Sequence, residues 1–185
     1  MPPLALEDTL LTSERLVLRA FRPAEDAAEL AAPITPAILH FLNWDGFGGE
    51  AGFAAVCKDW AEKMRAGSAV VLVVRDRAQG ALVGMAGLRF LDRQEPTAGL
   101  WIRDGLQGQG YGGEAMRALA HWAFRNRKAK GIYLPVFDSH EPSRRIAEGL
   151  GGAPAVADPK TQAPDFAGSM VLYRIPHPAV AVARI

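Results

Sequence analysis

The chain has 185 residues, 49% of them hydrophobic, with 21 basic side chains against 20 acidic ones. That length and apolar content suit one domain spanning residues 1-185. The near-zero net charge leaves no global field for nucleic acid, an anionic membrane or an acidic substrate class, so any anion site must be local. The opening MPPLALEDTLLTSERL lacks a basic n-region and an apolar h-region. No run approaches the roughly 18 apolar residues of a spanning helix, so a cytoplasmic protein is expected. A lone Cys57 excludes an internal disulfide and a cysteine-cluster metal site, and reads as a core position. The four scattered histidines form no ligand pair, so no metal is expected.

Taken in order, ERLVLRAF (Glu14 to Phe21) alternates Leu16 and Leu18 against Val17 and Arg19, the pattern of a first strand. Pro23, Glu25 and Asp26 open a short helix. From Gly49 to Ala66, Phe53, Val56, Cys57, Trp60 and Met64 recur at helical spacing, closed by Gly67. SAVVLVVRD and ALVGMAGLRF follow, joined by a polar, Gly-ended connection of hairpin type, which predicts an antiparallel pair. A polar loop, Leu91 to Thr97, leads to a third run, AGLWI (Ala98 to Ile102). Glu114 to Asn126 is helical. Its basic tail, Arg125, Arg127, Lys128 and Lys130, matches the helix dipole. IYLPVFD (Ile132 to Asp138) is a strand, Ser139 is a candidate N-cap for a helix ending at Gly151-Gly152, and SMVLYRI (Ser169 to Ile175) closes the chain as a strand. The order β, helices, β-β-β, α, β, α, β describes an α+β fold with a mixed sheet.

Between AGLWI and the next helix lies QGQGYGGEA. Gly108, Gly110 and Gly113 satisfy G-x-G-x-x-G, the dinucleotide fingerprint, but Gln107, Gly110 and Gly112 equally satisfy Gln-x-x-Gly-x-Gly. A dinucleotide fold needs the glycines at the first strand-to-helix turn of repeated βαβ units, with an acid about 20 residues on. Here a meander precedes them, Arg103-Asp104-Gly105-Leu106-Gln107 separates strand from glycine, and the next strand-terminal acid, Asp138, is late. What the residues support is an anion cradle: glycines admit backbone N–H groups close to a phosphate, and a helix aims its positive end at the same place.

At this point the chain resembles the GNAT superfamily of acyl-CoA-dependent N-acyltransferases. GLWIRDGLQGQGYGGEAMRALAHWAF is similar to that family's central strand, pyrophosphate loop and helix. SERLVLRAFRPAEDA and HEPSRRIAEGLG resemble the opening strand and last motif of the branch containing ribosomal-protein N-terminal acetyltransferases. The resemblance implies a mainly antiparallel central sheet with a splayed strand pair flanked by helices. It also implies acetyl-CoA as co-substrate, a primary amine as acceptor (a peptide N-terminus or a small molecule), and direct transfer. A homodimer is compatible with it, though no residue signals one. The family's Asn at the head of the last motif falls on His140, which lacks an amide's paired donor and acceptor. Its closing Gly-Phe reads Gly151-Gly152, and the tyrosine acid of other branches falls on Ala147.

By that resemblance Trp101, Ile102 and Arg103 form the splayed strand whose backbone polarises the thioester carbonyl, and Gln107, Gly108, Gln109, Gly110, Tyr111, Gly112 and Gly113 hold the pyrophosphate. His140 and Ser143 are expected beside the CoA arm, with Ser143 to protonate or hydrogen-bond the sulfur. Asp92 and Glu95, before the central strand, are candidate bases. His40 and Asp45 could line the acceptor side, and His121 reads as an ordinary helix residue. A second reading keeps the same fold as a CoA-binding or protein-interaction module that has lost transfer chemistry.

Overall fold

The structure is a computed structural model that describes residues 5–36, 38, 49–155 and 170–178. His40, Asp45 and Ser169 lie outside the described residues. After a short 3-10 turn come β1 (Leu10–Thr12), β2 (Leu16–Ala20), α1 (Pro23–Ala31) and α2 (Gly49–Arg65). Next are β3 (Ala69–Asp76), β4 (Leu82–Arg89), β5 (Thr97–Ile102), α3 (Tyr111–Asn126) and β6 (Gly131–Phe137). The described chain closes with α4 (Glu141–Gly149), β7 (Ala153–Pro154) and β8 (Met170–Pro176). The strands form one sheet in the order β1-β2-β3-β4-β5-β6-β8-β7. Every pairing is antiparallel except β5 with β6.

Both sheet faces are covered, which explains why β3 and β4 read as nearly continuous apolar runs. Leu16, Leu18, Leu72, Leu88 and Ile132 face α3 through Met116 and Leu119. Val71, Val73 and Met85 face α1 and α2 through Leu30, Phe53 and Cys57. Cys57 is a core residue, its thiol pushed up to about 11 by burial.

Four local readings change. Leu10–Thr12 is a strand that a three-residue run does not announce; it pairs with Val17 to Arg19. Ala153–Pro154 is a second short strand, added to β8. The helix after the glycines starts at Tyr111, not Glu114, because Gly110 caps it in the left-handed region with φ 84°. The N-cap of α4 is His140, not Ser139. Pro142 sits in the first turn, a place that proline's fixed φ favours and that sets where the helix begins.

One buried charge secures the join between sheet and α1. Asp26 has no exposed side-chain surface. It accepts from Arg19 Nη1 at 2.8 Å, Arg19 Nη2 at 2.5 Å and the Arg22 backbone N–H at 2.7 Å, and Arg75 Nη2 lies 3.6 Å away. Burial pushes its pKa up, but the bonds from Arg19 and the Arg22 N–H outweigh that and hold the carboxyl below its ordinary value of 3.8. A carboxyl depressed in the fold contributes stability that is fully present above its unfolded value and drains as pH falls through the folded one. Asp26→Asn, which leaves Arg19 only the longer pair with Glu25 at 3.7 Å, should therefore cost about 1–3 kcal/mol at pH 7 in urea unfolding. Below the ordinary aspartate range, the variant's stability should fall less steeply with acid than the wild type's.

Candidate functional site

The parallel contact between β5 and β6 is reduced to one register pair, Thr97 with Tyr133, plus the Tyr133 N–H donating to the Pro96 carbonyl at 2.9 Å. Beyond it the strands diverge, while β4 stays paired with β5 as far as Gly84 and Ile102. Alternate residues of a strand aim their N–H groups to the same side, so residue 135 would point its donor into the gap. Residue 135 is proline, which has no donor there to leave unsatisfied.

A cavity of about 660 Å³ follows this gap. Gln107, Gly110 and Tyr111 bound it at one end, and His140 and Ser143 from the α4 side. The loop is held by its own side chains: Gln107 Nε2 donates to the Ile102 carbonyl at 2.9 Å and to Asp104 Oδ1 at 3.1 Å, and Gln109 Nε2 to the Gly105 carbonyl at 2.9 Å. The amides of Tyr111, Gly112 and Gly113 open a helix and have no intrahelical acceptor, so they are donors for an anion. Gly112 is buried, and a Cβ there would lie 2.9 Å from Ile146 Cδ1 and 3.3 Å from Leu100 Cδ1. That absence of a side chain lets α3 approach β5 and α4 closely.

Sequence reasoning missed the group that fixes this loop in place. Arg15, at the entry of β2, donates through Nε to Glu114 Oε2 at 2.7 Å and through Nη1 to the Gln109 carbonyl at 3.1 Å, with its guanidinium 4.4 Å from the Tyr111 ring centroid. Glu114 also accepts from the Ser13 hydroxyl at 2.6 Å and the Arg15 backbone N–H at 2.8 Å. Burial raises the Glu114 pKa, but the Ser13 and Arg15 bonds prevail and hold it below the ordinary value. The signal lay in the juxtaposition of Ser-Glu-Arg before the first strand with Glu after the glycines, which only the fold brings together.

His140 Nδ1 and Ser143 Oγ are 2.7 Å apart. Burial lowers the His140 pKa, so near neutral pH the ring is uncharged and can accept from, or donate to, the serine hydroxyl according to its tautomer. Trp101 and Ile102 line the cavity. Arg103 does not; its Nη1 donates to the Leu82 carbonyl at 3.1 Å and its backbone N–H to Val83 at 2.9 Å, tying the ends of β4 and β5. The two candidate bases are not brought to the cavity. Asp92 is exposed. Glu95 is held by Arg174, whose Nε donates to it at 2.8 Å, at the closed vertex where the strands meet. His121 is exposed on α3. Among the described residues no group of three His, Cys, Asp or Glu could hold a metal, and no helix is long and apolar enough to cross a membrane.

A family model described as the acetyltransferase (GNAT) domain matches residues 15–153. The chain belongs to this family. GNAT acetyltransferases take acetyl-CoA as co-substrate, and the diverging strands, open glycine loop and helix start suit its pantetheine arm and pyrophosphate. Solved structures share the fold. An acetyltransferase from Agrobacterium tumefaciens is 25% identical with a TM-score of 0.71, covering 91% of this chain and 95% of its own. The ribosomal-protein-S5-alanine acetyltransferase of Vibrio fischeri is 18% identical with a TM-score of 0.72, covering 91% and 97%. RimJ of Mycobacterium smegmatis, solved with a CoA disulfide, is 17% identical with a TM-score of 0.71, covering 92% and 88%. None of the curated protein sequences compared with the chain matches it.

In this GNAT domain Gly112, which belongs to the Gln-x-x-Gly-x-Gly frame, should respond differently from its neighbour Gly113. Gly112→Val should cost about 1–3 kcal/mol through overpacking against Ile146 and Leu100 and weaken CoA in calorimetry. Gly113→Ala, whose Cβ meets nothing within 4 Å, should keep or raise stability by about 0.5–1 kcal/mol.

Proposed function

We propose that the protein transfers the acetyl group of acetyl-CoA directly to a primary amine, a peptide N-terminus or a small molecule. The observation that carries this reading is the cavity between β5 and β6, which reaches from the glycine loop to the hydrogen-bonded His140–Ser143 pair. Acetyl-CoA, when bound, supplies an acetyl group activated as a thioester. The amides of Gln107 to Gly113 hold the pyrophosphate at the start of α3, where the dipole of the helix favours negative charge. The backbone of β5 around Trp101 and Ile102, unpaired on the side facing β6, offers donors to the thioester carbonyl. Ser143 donates its hydroxyl proton to the departing sulfur and regains one from water, while His140, donating through Nδ1–H, orients the hydroxyl. With Glu95 paired to Arg174, a water chain through the cavity takes the proton of the incoming ammonium.

The alternative of a CoA-binding module without transfer chemistry draws on the same features: no predicted carboxylate base lies in the cavity, and His140 stands where the family has Asn. Incubation with acetyl-CoA and a panel of N-terminal peptides, polyamines and amino acids separates the two. Coupled release of thiol and acetylated amine is expected; tight CoA binding with no turnover on any acceptor would replace this reading with the binding module. In the active enzyme Ser143→Ala should lower kcat about 10²-fold with little change in the KM for acetyl-CoA.

A further inference from the structure

The part of the cavity bounded by α2 and its sheet face is chemically uneven. Trp101 is only 7% exposed and lines the cavity. Its indole Nε1 is one of two buried polar side-chain atoms without a hydrogen-bond partner among the described residues. Gly87 and Gly99 sit opposite each other on β4 and β5. By strand alternation they share the face of Met85 and Trp101, so the floor there is bare backbone. A Cβ at Gly99 would meet nothing within 4 Å.

At the far end Arg89, opposite Thr97, lies on the same face, and Asp59 and Lys63 of α2 also line the cavity. Lys63 Nζ holds Asp59 Oδ2 at 2.7 Å, so two cations share one carboxylate. Arg89 feels Asp59 at longer range and has no ion pair among the described residues. This is a local cationic excess in a chain with net charge of only +1.

We propose that this region takes an extended, peptide-like amine acceptor bearing a carboxylate. Trp101 Nε1 donates to a carbonyl near the reacting amine, the Gly87–Gly99 strip forms the floor, and Arg89 binds the carboxylate. The inference rests on the acetyl-transfer reading for the position of the amine near Trp101. Trp101 and Thr97 are four residues apart, about 13 Å along a strand, which an extended chain spans in roughly four residues.

The test uses two hexapeptide amides with free N-termini, differing only in Glu or Gln at the fourth residue. It measures kcat/KM with acetyl-CoA and, by calorimetry, peptide affinity for the CoA-saturated protein. The Glu peptide should be favoured about tenfold, the worth of one charge-assisted hydrogen bond. Arg89→Gln should abolish that ratio and Arg89→Glu invert it. Trp101→Phe should weaken both peptides and leave the ratio intact. Gly99→Leu should exclude both while CoA affinity persists. Equal use of the two peptides, or a preference surviving Arg89→Glu, would overturn the carboxylate assignment and leave acetyl transfer standing. Arg89-dependent binding of the Glu peptide with no turnover on any acceptor would retain the acceptor chemistry and overturn the transfer reading. Neither binding nor turnover of either peptide would overturn the inference outright.

Discussion

The single parallel pair between Thr97 and Tyr133 is the constraint from which the site follows. Had β5 and β6 stayed paired, their backbone groups would have satisfied each other and no ligand could enter. Instead the sheet is pinned where they meet and open beyond. The pin is ionic as well as hydrogen-bonded: Glu95, just before β5, is gripped by Arg174 of β8. A Cβ on Gly131 would fall 2.9 Å from Glu95 Oε1, so the pair packs directly on the start of β6. On the open side Pro135 withholds the donor that an ordinary residue would leave facing the gap. Closure at one end and tolerance of opening at the other are both written into side chains, and β8 completes the ladder on the far edge of β6.

The open end carries an electrostatic problem that Arg15 resolves. A helix start binds an anion through unpaired amides and a partial positive charge, yet α3 carries Glu114 in its first turn. Left alone, that carboxylate would compete with the ligand for the same field. It is turned toward Ser13 and Arg15, so its charge is answered from the β1–β2 connection and the amides remain available. The same contacts anchor the Gln109 carbonyl and place the Arg15 guanidinium over Tyr111. The β1–β2 connection thus sets the position of the loop about a hundred residues later in the chain.

Much of the architecture was legible because it depends on local pattern. β2, β3, β4, β5 and β6 each show alternating or continuous apolar runs, and α2 shows helical spacing, so their kinds and order follow from periodicity. The short strands Leu10–Thr12 and Ala153–Pro154 were not legible. Each is defined by its partner rather than by its own residues. Gly112 and Gly113 hid the first turn of α3 for a related reason: glycine is a poor helix former, and here tertiary packing against Leu100 and Ile146 overrides propensity. The site divided along the same line. The glycine loop and the nearness of His140 to Ser143 are separations of a few residues and could be read. The Arg15–Glu114 tie and the Glu95–Arg174 pair span 99 and 79 residues. An acid in a loop before a central strand looks like a base until its cation is found.

The two overlapping glycine patterns are distinguished by what each glycine does. In the G-x-G-x-x-G frame the third glycine is Gly113, and a side chain built there would meet nothing within 4 Å, so the fold makes no demand for glycine at that position. In the Gln-x-x-Gly-x-Gly frame every fixed position has work. Gln107 closes the loop onto the end of β5. Gly110 adopts φ 84° with Arg15 Nη2 only 3.3 Å from where a Cβ would stand, a conformation costly for other residues. Gly112 has space for little beyond a methyl group, and only if Ile146 yields. The frame in which the structure requires every fixed residue is therefore the one proposed to hold an acyl-CoA pyrophosphate; the dinucleotide frame shares Gly110 and has Gly108 at φ 75°, but asks for a glycine at 113 that the fold does not need.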